Sequence, residues 1–244
     1  MKNKALRYVW YLIACLLFAI CIMCAYILED RMGIQEGYAP VEDAVKLVII
    51  VAVIVGLKNV GFLKTDVTLQ DVIMVATPLV LIIASQLVWC SKWVGWLLNI
   101  CLLIGTFTTG FAEELFFRAF GIKVMTKGGN KLTWTSVVVL ILGFALAHIP
   151  GVILRGLEAT AIQVGSAVVL GTLLLGVYLN TKSWVLVGLS HSLYNYLCSV
   201  TRLNSTIKLS ILPVSVGYML MSLGMIAALV IGILFIKGWI PKEK

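Results

Sequence analysis

Eight stretches of this chain are apolar and long enough to demand a bilayer: residues 9–28, 41–57, 72–89, 96–120, 134–149, 160–179, 184–200 and 211–236. A helix rising 1.5 Å per residue crosses about 30 Å of hydrocarbon in roughly 20 residues, and each stretch is of that order. Lipid offers no partner for backbone N–H and C=O groups, so apolar segments of this length form helices and not open strands. The expected fold is an all-α polytopic transmembrane helical bundle of about eight spans. Composition agrees, with 61% hydrophobic and only 12% charged residues among the 244, where soluble domains average about 25% charged. A soluble globular protein is excluded, and the short connections leave no room for a soluble domain between spans.

The net charge of +8, from 19 Lys+Arg against 11 Asp+Glu, reads as topology. Twelve basic residues fall on one set of connections: Lys2, Lys4 and Arg7; Lys58 and Lys64; Lys123, Lys127 and Lys131; Lys182; and Lys237, Lys242 and Lys244. The other set holds five, Arg31, Lys92, Arg155, Arg202 and Lys208, beside the acidic Glu29, Asp30, Glu36, Glu42 and Asp43. The positive-inside rule then expects both termini in the cytoplasm of a multi-pass cell-membrane protein. With the charge explained, nucleic acid is not an expected partner, whereas the lipid bilayer is.

Leu12-Ile13-Ala14-Cys15 resembles a lipoprotein cleavage site, but little apolar sequence precedes it and the run continues past Cys15, so the first helix is expected to be retained. Cys15, Cys21, Cys24, Cys90, Cys101 and Cys198 lie in or beside apolar runs and act as small hydrophobes, with no disulfide implied. Lys127-Gly128-Gly129-Asn130 is a turn between spans four and five.

Function must come from the few polar groups at bilayer depth, each costing at least about 2.5 kcal/mol unless it has a partner, a cavity or a task. Span four contains Glu113-Glu114-Leu115-Phe116-Phe117-Arg118, span five ends Phe144-Ala145-Leu146-Ala147-His148, and span seven contains His191-Ser192-Leu193-Tyr194-Asn195. Lys46 and Glu158, nearer span edges, are expected to reach headgroups or solvent. Glu114 and Arg118, at i and i+4, suit an intrahelical ion pair. Glu113 points about 100° away and is left for chemistry, as a general base. His191 and Asn195 share a face one turn apart and offer donors for an oxyanion, and His148 completes a water-activating pair with Glu113. Other chemistries lack their parts: there is no His-Glu-x-x-His, no Asp beyond Asp71 and no Gly-x-Ser-Gly.

Glu-Glu-x-x-x-Arg (Glu113, Glu114, Arg118), Phe-x-x-x-His (Phe144, His148) and His-x-x-x-Asn (His191, Asn195), in that order on hydrophobic helices, resemble the CPBP family of intramembrane proteases, also called the CAAX protease or Abi family. That family includes type II CAAX prenyl endopeptidases and bacterial members linked to bacteriocin maturation or immunity. The resemblance implies an intramembrane endopeptidase acting on a membrane-associated peptide or protein substrate. In it Glu113 and His148 activate water, His191 and Asn195 stabilise the oxyanion, and Glu114, Arg118 and Phe144 support them. It implies no required cofactor, although Glu113, His148 and His191 form a possible ligand set for Zn²⁺ or another divalent metal. The rival reading is a non-catalytic membrane immunity or partner-binding protein that uses the same network structurally. The organisation follows as residues 1–95, N-terminal helices without a signature; 96–200, the catalytic core; and 201–244, a last helix and basic tail. Counting from span ends separates Glu113 from His148. Span four is therefore expected to bend near Gly110 or Gly121, or span five to begin later than Trp134.

Overall fold

The computed structural model describes residues 4–34, 37–57, 67–89, 95–127, 131–203 and 214–239. Cys90, Glu36, the Gly128-Gly129-Asn130 turn, the first residues of span eight, and Lys2, Lys58, Lys64, Lys92, Lys208, Lys242 and Lys244 lie outside them.

Among the described residues all regular structure is helical: α1 (Lys4–Arg31), α2 (Pro40–Leu57), α3 (Leu69–Trp89) and α4 (Trp96–Glu114), the last continuing through a π-helical turn (Leu115–Phe120) into α5 (Gly121–Thr126). Then come α6 (Trp134–Leu146), a 3₁₀ turn (Ile149–Gly151) leading into α7 (Val152–Arg155), α8 (Leu157–Thr181), α9 (Trp184–Leu203) and α10 (Val214–Trp239). Counting α4 to α5 and α6 to α7 as one unit each gives the eight expected helical units. Six of them are long and apolar enough to cross a membrane. The other two are α2, carrying Glu42, Asp43 and Lys46, and α9, carrying Ser190, His191, Ser192 and Asn195. This is a multi-pass membrane protein.

α4 lies between α2 and α9, α8 lies between α6 and α10, and α3 packs on α9 and α10. One core cluster joins Tyr11, Cys15 and Phe18 of α1 to Phe117, Leu140, Phe144 and Leu175. A second joins Leu57, Val75, Leu115, Leu173, Val177 and Ala228.

Although α1 has no sequence signature, buried ionisable residues fasten both of its ends. Arg7 donates to the carbonyls of Met125 (3.1 Å) and Lys127 (2.9 Å), where α5 runs out of intrahelical donors. Glu29 accepts from the backbone N–H groups of Val41 (2.7 Å) and Glu42 (2.9 Å) and so caps α2 from outside that helix. A cap of this kind contributes about 1 kcal/mol.

The expected irregularity of spans four and five takes a different form. Span four runs on to Thr126 and is distorted between the two glycines, in the π-helical turn. Span five does begin at Trp134, but it breaks before His148. Pro150 has no N–H to continue the ladder and disfavours helical geometry at Ile149.

Candidate active site

The close approach of α4 and α9 starts at Gly110, where a Cβ would lie only 2.7 Å from the backbone nitrogen of Ser192. This packing brings Glu113 and Glu114 against His191. Glu114 is fully buried and uses its two oxygens on two partners. Oε1 accepts from His191 Nδ1 at 2.8 Å, and Oε2 forms an ion pair with Arg118 Nε at 3.0 Å. The i, i+4 pair expected from sequence is therefore present, with a histidine added from 77 residues away.

Glu113 is not unpaired, since its Oε2 lies 3.6 Å from His191 Nε2. That is an ion-pair distance, longer than a hydrogen bond. Because a carboxylate only accepts, Nδ1 of His191 carries the proton that Glu114 receives, leaving Nε2 to face Glu113.

The break in α6 sets the other histidine. The backbone N–H of His148 bonds to Ala145 O at 3.1 Å in 3₁₀ fashion and so forgoes the α-helical acceptor, Phe144 O. His148 Nδ1 takes that carbonyl instead, at 2.9 Å. A carbonyl cannot donate, so Nδ1 is protonated and a neutral His148 presents its Nε2 lone pair.

Phe144, 2% exposed, ties these groups together. The Arg118 guanidinium lies 4.1 Å from its ring centroid. The rings of His148 and His191 stand nearly perpendicular to it at 5.1 and 5.7 Å. Such contacts contribute about 0.5–1.5 kcal/mol each. The terminal nitrogens of Arg118 have no hydrogen-bond partner among the described residues, and the aromatic face is their compensation.

Three of the residues singled out from sequence, Arg118, His148 and His191, thus meet at the Phe144 ring, and Glu113 and Glu114 join them through His191. Asn195, half-buried one turn beyond His191, hydrogen-bonds to none of them among the described residues. Nor does a hydrogen bond or ion pair join His148 directly to Glu113 there; Phe144 and His191 lie between. Among the described residues no three His, Cys, Asp or Glu side chains gather closely enough to hold a metal ion. Glu113, His148 and His191 do not form such a set in this arrangement.

Sequence reasoning missed two contributors. Lys46 does not reach the headgroups; it is 4% exposed and points at α4. Tyr11 of α1, 1% exposed, donates to Phe117 O in the π-helical turn at 3.3 Å. The Glu42-x-x-x-Lys46 spacing was a signal for the first, whereas nothing local marks Tyr11. A cavity of about 610 Å³ opens between Ala52, Val53 and Gly56 of α2 and Phe116, Phe120 and Lys123 of the π-helical turn and α5.

Across α4 and α9, Glu114 and His191 are thus buried against each other, with Glu113 and His148 half-buried nearby. Residues 95–197, from the start of α4 through most of α9, match the family model described as type II CAAX prenyl endopeptidase Rce1-like, consistent with the CPBP or CAAX protease family. The match contains all seven motif residues. No curated protein and no solved structure matches the chain.

Proposed function

We propose that this protein is an intramembrane endopeptidase that hydrolyses a peptide bond of a membrane-associated peptide or protein. The observation that carries the reading is Glu113 facing Nε2 of a histidine whose Nδ1 is clamped by the buried Glu114–Arg118 pair. With His191 protonated, two carboxylates and two cations balance inside the membrane, which limits the cost of burying them. In that state Glu113 accepts a proton from water, and Nε2–H of His191 is a donor for the oxygen of the tetrahedral intermediate. Asn195, one turn further along α9, supplies a second donor once substrate draws it in. His148, with its Nε2 lone pair, helps orient the water. The largely apolar cavity beside Phe116 has room for the lipid-facing part of a substrate. The positive-inside count puts that side, which carries Lys123, towards the cytoplasm.

The second reading is a non-catalytic immunity or partner-binding protein. It draws on the same Glu114–His191 contact, since a buried hydrogen bond of this kind also joins α4 to α9 as structure. Comparing wild type with Glu113→Gln and His148→Ala in cells, by peptidomics and membrane abundance, separates the two. A hydrolase loses specific cleavage products, by about a hundredfold or more for Glu113→Gln, at unchanged abundance. Unchanged products with a retained phenotype would overturn the protease reading.

A further inference from the structure

We infer that Lys46 is a positioning residue for Glu113, acting through Thr109; the inference rests on the reading of Glu113 as the reacting carboxylate. Lys46 sits on α2, outside the matched segment, and its ammonium is buried. It bonds to Glu42 Oε1 at 2.6 Å and to Thr109 Oγ1 at 2.5 Å, with Asp43 Oδ1 4.0 Å away. Asp43 in turn accepts from Thr108 Oγ1 at 2.6 Å. Thr109 spends its own proton on Gly105 O at 2.7 Å, which leaves a lone pair for the lysine.

Thr109 and Glu113 are i and i+4, on one face and one turn apart. The turn that carries Glu113 is therefore gripped from two sides, by the Gly110–Ser192 contact with α9 and by Lys46 from α2. Glu113 itself has one ion-pair partner among the described residues, at 3.6 Å, so its carboxylate takes its place from the helix beneath it. A buried ion pair is a poor route to stability, and an apolar side chain would hold α2 against α4 with no desolvation cost. What Lys46 adds is a directional bond to one particular turn. The charged and titratable groups around Glu113 are Glu114 and Arg118 on its own unit, Glu42, Asp43 and Lys46 on α2, His191 on α9 and His148 beyond α6.

The test uses purified full-length protein with ¹³C-labelled glutamate carboxyls, the Glu113 signal being assigned by its loss in Glu113→Gln. Wild type and Lys46→Arg are expected to give one narrow signal. Lys46→Met is expected to broaden or split it, and to lower cleavage by about a hundredfold, as misplacement of a reacting group does. Thr109→Val keeps the Glu42–Lys46 pair and the Asp43–Thr108 bond and cuts only the bond from Lys46 to α4, so it must reproduce the signal change even if Lys46→Met fails to accumulate. A single narrow Glu113 signal in folded Thr109→Val or Lys46→Met would overturn the inference. The signal needs no substrate, so this outcome is separate from a failure of the protease reading, which the cellular peptidome decides.

Discussion

Among the helix pairs that approach through glycine, α4–α9 and α8–α10 use the closeness differently. At α4–α9, Gly110 meets Ser192 and Gly188, and one turn on the interface carries Glu113, Glu114 and His191. At α8–α10, a Cβ on Gly176 would lie 2.7 Å from Gly232 O, and one on Gly232 would lie 2.7 Å from Leu173 N. The second pair is surrounded by Leu173, Leu174, Val177 and Ala228, and among the described residues neither α8 nor α10 carries a buried charge. Lipid tails are as apolar as leucine, so helices in a bilayer gain from close packing rather than from escaping solvent. Both pairs meet that need. In the protease reading, α4–α9 turns the short distance into register between reacting groups.

Gly110→Ala tests that difference most severely. The added methyl meets Ser192 N at 2.7 Å, a backbone atom that yields only if α9 moves as a unit. Such a shift carries His191 away from Glu113. The expected result is about a hundredfold less cleavage product per folded molecule, with thermal stability reduced by a smaller margin. Retained turnover alongside a large loss of stability would make α4–α9 the same kind of interface as α8–α10.

Gly232→Ala is the counterpart. Its methyl also meets backbone, at Leu173, and overpacking of this sort costs about 1–3 kcal/mol. Folded protein in the membrane and the unfolding midpoint should fall, while product formed per folded molecule stays at the wild-type value. A specific loss of turnover would show that the α8–α10 packing also sets the site, through Gly171 and Phe144, whose ring would lie 3.0 Å from a Cβ on that glycine.

The same contrast explains what the sequence makes legible. A charge or imidazole in lipid is costly enough to stand out, so Glu113, Glu114, Arg118, His148 and His191 could be read directly, and the Glu114–Arg118 pair followed from i, i+4 spacing. Spacing does not say which histidine meets which acid, because that depends on helices far apart in the chain. Glu114 was therefore expected to serve Arg118 alone, yet it also holds His191. Ile149-Pro150 marks the break in span five, but its consequence, a freed Phe144 carbonyl that fixes the His148 tautomer, exists only in three dimensions. The π-helical turn has no local signature. Lys46 was misread because counting from a span edge cannot separate a side chain reaching outward to headgroups from one reaching inward to Thr109.

Phe144 gives the smallest expected effect and the sharpest view of how the site is ordered. It bears no charge and touches the chemistry only through its neighbours: the guanidinium at 4.1 Å and the two imidazoles at 5.1 and 5.7 Å. Phe144→Leu keeps most of the buried volume but removes the flat face under Arg118 and the ring against which both histidines stand. The charged atoms of Glu114, Arg118 and His191 remain, so the ion pair persists while its orientation loosens. Cleavage should fall about tenfold, matching one or two lost aromatic contacts, with a modest drop in thermal stability. Imidazole ¹⁵N spectra should show both ring environments changing together. If His148 alone responded, Phe144 would be a local prop for the α6 break, and the ordering of His191 would rest entirely on Glu114.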